Sequence, residues 1–166
     1  MMKKPILGII GVSDGEPEVH EQLKDFVQAR VDEIVAALRE SGEVEIIEAK
    51  ELVCDNKSAK EQAEYLRNQG VDGTIISHAV FAFPSFSAII ANNGKPPYLL
   101  AANLNPEWPG MVSMLAAGGA LSHLDIDHFR ASGDVADPEV LNKYITFAKC
   151  AKVVSRLKGQ TYGLIG

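Results

Sequence analysis

The side chains with usable chemistry fall in two short stretches. Asn103 to Trp108 carries two amides, Asn103 and Asn105, a carboxylate, Glu107, and the only tryptophan of the chain, Trp108. His78 opens an aromatic run that continues through Phe81, Phe83 and Phe86. Asp14 and Gly15 end an apolar run near the N-terminus. A histidine and an aspartate facing each other can hydrogen-bond a polyol or act as acid and base. The plainer alternatives are that His78 satisfies loop carbonyls and that Trp108 only packs over a crevice.

Other chemistries are disfavoured by spacing. Gly8, Gly11 and Gly15 do not form G-x-G-x-x-G, and Asp14, Glu16 and Glu18 would repel a phosphate on the following helix. A phosphorylatable receiver needs an acid after the third strand and a lysine after the fifth, where His78 and Gly133 stand. His123, Asp125, Asp127 and His128 cluster before a strand rather than after one, which suits a helix-to-strand connection better than a metal site. No G-x-S-x-G elbow presents a serine nucleophile.

The elements that position these residues alternate. Consecutive apolar residues predict strands over Ile6–Val12, Gly73–Ser77 and Tyr98–Ala102, each buried on both faces. Val44–Ala49 and His128–Ser132 read as two more strands. Leu23, Phe26, Val27, Val31, Ile34, Val35 and Leu38 trace one face of a helix over Glu18–Arg39, closed by Gly42. Ser58 and Glu61 read as a capping box opening a surface helix that runs to Asn68. Ser85–Asn92 is a short helix. Pro109 suits the first turn of another, with Met111, Val112, Leu115, Ala116 and Gly119 as its apolar positions. Asp137 caps the last helix, whose buried face is read as Val140, Leu141, Tyr144, Ile145, Ala148, Ala151, Val154 and Leu157.

This order predicts an α/β fold: a doubly wound parallel five-stranded sheet, flavodoxin-like (Rossmann-like), with helices on both faces. Asn103–Trp108 then lies at the carboxyl end of the sheet, where open α/β sheets bind ligands, and a 2-1-3-4-5 order would set His78 beside the reversal point. Thr161–Gly166, TYGLIG, reads as a further buried strand with no helix after it. The expected division is an α/β domain over 1–159 and, over 160–166, the first strand of a following domain.

The bulk numbers agree with one domain. The chain has 166 residues, and 22 acids against 16 Lys and Arg give a charge of −6, which argues against a nucleic-acid partner. No apolar run reaches the roughly 20 residues of a membrane span. Cys54 and Cys150 form no motif and are read as inert packing residues in a reducing cytoplasm.

Three stretches together resemble a known family. The first strand ending in Asp14-Gly15, the run NLNPEWPGMVSMLAAGGALSH with its Pro109-Gly110 helix start, and GDVADPEVLNKYITFAKCAKVVSRLKGQTYGLIG are similar to the N-terminal domain of L-fucose isomerase and its L-fucose/L-arabinose isomerase-like relatives. The resemblance implies a metal-dependent aldose–ketose isomerase working through an enediol. It implies a divalent metal, usually manganese, held by two carboxylates and a histidine of later domains, with none bound by this segment. It further implies a homo-oligomer in which this domain closes over a neighbouring subunit's active site and works with the C-terminal domains of its own chain.

Catalytic residues are therefore expected outside this segment. Asp14, His78, Phe81, Asn103, Asn105, Glu107 and Trp108 would line a sugar site at the subunit interface, amides and carboxylates for hydroxyls, aromatic faces for the ring. Two departures bear on the sugar. Glu16, Pro17 and Glu18 stand where the fucose enzyme has arginines, and Phe81 is the aromatic nearest the place of its tryptophan. Two other readings stay open: a non-catalytic domain binding a small polar ligand or protein partner by itself, and an assembly domain packing through Phe81–Phe86.

Overall fold

The computed structural model describes residues 3–161, 163, 164 and 166. Five parallel strands, β1 (Ile6–Val12), β2 (Glu45–Glu48), β3 (Gly73–His78), β4 (Tyr98–Ala102) and β5 (His128–Ser132), form one sheet in the order β2-β1-β3-β4-β5. The helices are α1 (Pro17–Ser41), α2 (Asn56–Asn68), α3 (Pro84–Asn93), α4 (Gly110–His123) and α5 (Pro138–Leu157). The doubly wound flavodoxin-like architecture is thus as the alternation predicts.

Parity along the central strands builds the two core layers. Ile10, Val12, Ile76, Leu100 and Ala102 face α2, α3 and α4. Leu7, Ile9, Ile75, Leu99 and Ala101 face α1 and α5. Both sides being covered, these strands are buried along their length and mainly apolar. Every residue of β3 and β4 is buried, including the polar Thr74, Ser77 and His78.

Local chemistry sets the ends of the elements. Pro17 starts α1, and Gly42, at φ +66°, ends it by donating its N–H to the Arg39 carbonyl. The capping box of α2 is shifted by three residues from the expected Ser58–Glu61 pair. Asp55 is the cap: its carboxylate accepts the Ser58 N–H at 2.6 Å while the Ser58 hydroxyl accepts the Asp55 N–H at 3.2 Å. Asp and Ser are comparable caps, and Asp55 forms a reciprocal pair with Ser58, so the helix opens three residues earlier.

Two helix faces differ from the sequence reading. α4 buries Gly110, Ser113, Met114, Ala117, Gly118 and Leu121, while Val112 and Leu115 are exposed and Gly119 lies on the same outer side. This helix is apolar nearly all round, so periodicity does not select a face. The small residues decide: a Cβ on Gly110 would sit 2.6 Å from the His78 carbonyl oxygen and 2.8 Å from that of Ala79. On α5, Phe147 is buried but Val154 and Leu157 are about half exposed. Val154 borders an open hollow with Pro97, Leu99 and Phe129 instead of being covered. Cys150 is exposed too and is not a packing residue. The strand expected over Thr161–Gly166 turns on Tyr162 and Ile165, which lie outside the described residues.

Candidate functional site

The loop between β4 and α4 is pinned from below. Asn105 donates its amide to the Ala79 carbonyl at 3.2 Å and accepts the Trp108 N–H at 2.6 Å. Both ends of that side chain are therefore occupied in tying the loop to the end of β3. The exposed Trp108 ring rests edge-on against Phe26 of α1, centroids 6.4 Å apart, and the Arg30 guanidinium lies 5.3 Å from the same Phe26 ring. These contacts set the loop's tryptophan against the α1 face.

Two hollows flank this loop. One of ≈ 330 Å³ is lined by Asn103, Leu104, Asn105, Pro106, Trp108 and Met111. The other, ≈ 650 Å³, lies between α1 and the loop after β5, with Arg30, Glu33, Glu40, Asn103, Asp134 and Val135 among its walls. Asn103 also borders a small cavity of ≈ 10 Å³ shared with Arg30, Ser77, Gly133 and Tyr144. Asn103 is thus common to all three spaces. Glu107 is exposed and lines neither hollow.

The reversal point between β1 and β3 is filled rather than open. Phe81, Phe83 and Phe86 form an edge-to-face chain with centroids 6.2 and 5.7 Å apart. The ring of Phe83 covers Gly15 so closely that a Cβ there would lie 2.4 Å from it. Asp14, half-buried beside this patch, accepts the Glu16 N–H at 2.9 Å and so shapes the turn into α1.

His78 does not reach the surface. It is 1 % exposed, with Nδ1 2.9 Å from the Ser113 hydroxyl and Nε2 3.5 Å from that of Ser87. Ser113 also accepts the Ala82 N–H at 3.0 Å. Burial pushes the His78 pKa down from 6.5 to about 3, so the ring is neutral at neutral pH. The expected facing of His78 and Asp14 across a crevice is therefore not formed. Instead the histidine fastens the end of β3 to α3 and α4, beneath the aromatic loop.

The structure thus brings Asn103, Asn105 and Trp108 together, sets Asp14 and Phe81 apart on the aromatic patch, and withdraws His78. Arg30, Glu33 and Asp134 were missed by sequence reading. The available signal was the stripe Phe26, Arg30, Glu33, Ala37, Glu40, spaced four, three, four and three along α1. A third hollow of ≈ 350 Å³ lies on the β2 side, with His20, Lys24, Cys54, Asp55 and Lys57 among its walls. There His20 Nδ1 sits 2.9 Å from the Ser13 hydroxyl, and burial pushes the Cys54 thiol pKa up, away from a reactive thiolate.

Among the described residues no three His, Cys, Asp or Glu side chains converge as a metal ion would require. The divalent metal implied by the resemblance finds no fitting donor set here. No described helix is long and apolar enough to cross a membrane. Comparison with curated proteins finds no match. The family model described as "L-fucose isomerase, first N-terminal domain" matches residues 4–159, which takes in all five strands and five helices above. The chain belongs to the L-fucose isomerase first N-terminal domain family, a sugar-isomerase domain.

Proposed function

We propose that this domain serves a metal-dependent aldose–ketose isomerase of the L-fucose/L-arabinose type, where it supplies sugar contacts and takes part in subunit assembly. The observation that carries the reading is the family match over residues 4–159, joined to a polar loop pinned at the carboxyl edge of the sheet. The sugar-facing groups are Asn103 and Trp108, with Asn105 holding the loop in place and Glu107 free to reach a neighbouring chain. Asp14 and Phe81 meet the ligand from the aromatic patch. His78 acts from beneath, as a positioning residue.

Proton transfer between C1 and C2 and the manganese ligands belong to parts of the complete enzyme outside this segment. The 166-residue chain by itself is therefore inactive in this proposal, and turnover by it would overturn that statement. A cytoplasmic location, a homo-oligomer and a following domain from residue 160 belong to the same proposal. In the complete enzyme, Asn103→Ala or Trp108→Ala should raise KM or lower kcat by about tenfold, the loss of roughly one hydrogen bond or one ring contact. Unchanged kinetics for both would remove this loop from the site.

A further inference from the structure

The outer edge of the sheet at β5 is open, and its charge is opposite to that of the chain as a whole. Among the described residues β5 pairs only with β4. Gly133 donates its N–H to the Ala102 carbonyl, so by alternation Phe129 and Ala131 also turn their backbone groups inward. Those of His128, Arg130 and Ser132 point outward, paired to no described strand. Beside this edge lies a hollow of ≈ 380 Å³, walled by Leu99, Phe129, Phe147 and Val154, with Arg130 and Lys143 also on its border. None of the described residues that border it is acidic. Phe129 meets Phe147 edge-on at 5.9 Å and is still 58 % exposed. An outer strand that shows an aromatic ring is an aggregation hazard unless something covers it.

Two occupants fit this edge badly. α5 returns over the α1 face of the sheet, whereas α3 and α4, which step towards β5, lie on the other. A strand following α5 could therefore sit outside β5 only through a left-handed crossover, which α/β sheets avoid. A second copy pairing along all of β5 would be centred on Arg130 and would set two guanidinium groups opposite each other, which is destabilising. The charges favour a third occupant. An Arg130 terminal nitrogen is 3.1 Å from His128 Nε2, and the guanidinium lies so near α4 that a Cβ on Gly118 would be 2.5 Å from it. Neither Arg130 nor Lys143 forms an ion pair among the described residues, in a chain whose net charge is −6. Side chains of a strand alternate between faces, so a strand added to β5 would set every second residue beside Phe129 and the rest beside Arg130. We propose that the β5 edge is a docking site for an extended segment of a partner protein in which apolar and acidic residues alternate. The apolar residues enter the hollow at Phe129 and Phe147, the acidic ones pair with Arg130, and the backbone completes a sixth strand. This docking does not depend on the isomerase reading, and no residue of Asn103–Trp108 borders the hollow.

The test is fluorescence anisotropy of a labelled Val-Glu-Leu-Glu-Val-Glu peptide titrated with the full-length protein. Two comparison peptides carry Lys in place of Glu, or the same side chains on a fully N-methylated backbone. Saturable binding of the Glu peptide is expected, weakened about tenfold or more by Phe129→Ala, by the change to Lys and by N-methylation. Arg130→Glu should reverse the preference, so that the Lys peptide binds the tighter of the two. Circular dichroism melting checks that each variant is folded; if Phe129→Ala is not, Arg130→Glu carries the test. No binding of the Glu peptide, equal binding of the Lys peptide, or unchanged affinity in a folded variant would overturn the site. Indifference to N-methylation would also overturn it, by showing an apolar hollow without strand pairing. Sedimentation at several concentrations reads the competing occupant. An oligomer that dissociates in Phe129→Ala, with no peptide bound, would mean that a second copy covers the face and would overturn the proposal.

Discussion

His78 makes stability depend on pH in a window where few other groups act. In the unfolded chain its pKa is the ordinary 6.5; in the fold it is about 3, with burial as the cause. The folded state holds the ring neutral while the unfolded state takes up a proton, so stability is complete above pH 6.5 and falls as pH drops towards 3. At about 1.36 kcal/mol per unit, the loss between pH 6.5 and 5 is about 2 kcal/mol. With a urea slope of ~2 kcal/mol per molar, that lowers the midpoint by about 1 M. His78→Asn keeps a polar group near the Nδ1 position that meets Ser113, and removes the titration. It is less stable at pH 7 but should lack the extra decline. Urea melts of both proteins at pH 7, 6 and 5 read the difference. Parallel profiles for the two would refute the placement of a neutral, buried imidazole between Ser87 and Ser113.

Gly110→Ala pushes a methyl into the Ala79 and His78 carbonyls and should cost about 1–3 kcal/mol of overpacking, read as a lower urea midpoint. Gly119→Ala, where a Cβ meets nothing, is the control and should be neutral or slightly stabilising through helix propensity. The two thiols should separate in a disulfide-exchange assay: exposed Cys150 reacts at once, whereas half-buried Cys54, its pKa pushed up, reacts only slowly at pH 7. Equal rates would contradict the packing around Cys54.

How much of this was legible depended on how completely each residue's neighbours are local. β1, β3 and β4 announce themselves because strands covered on both faces are mainly apolar runs, whereas the register that pairs Val12 with His78 is set by contacts distant in sequence. The face of α4 was not legible. Val112 and Leu115 are as apolar as Met114 and Leu121, and what turns the helix is the fit of Gly110 and Ser113 against the end of β3.

The same distance in sequence hides the partner of His78. Ser113 lies 35 residues away and looks like any helical serine until the two meet at 2.9 Å. The Asn103–Trp108 loop was found because a strand, a polar loop and a helix in that order lie at the carboxyl edge. Arg30 was passed over because an arginine amid Glu33 and Gln28 reads as a solvated helix face; only the loop folded over Phe26 shows it to be part of a wall.

The most direct measurement is ketose formation by the protein purified at its natural length, supplied with manganese and offered a panel of aldoses that includes L-fucose and L-arabinose. Conversion of at least one aldose to its ketose, lost on chelation and restored by metal, is the expected result. A folded, metal-supplied protein that converts none of them would contradict the assignment of this domain to a working sugar isomerase.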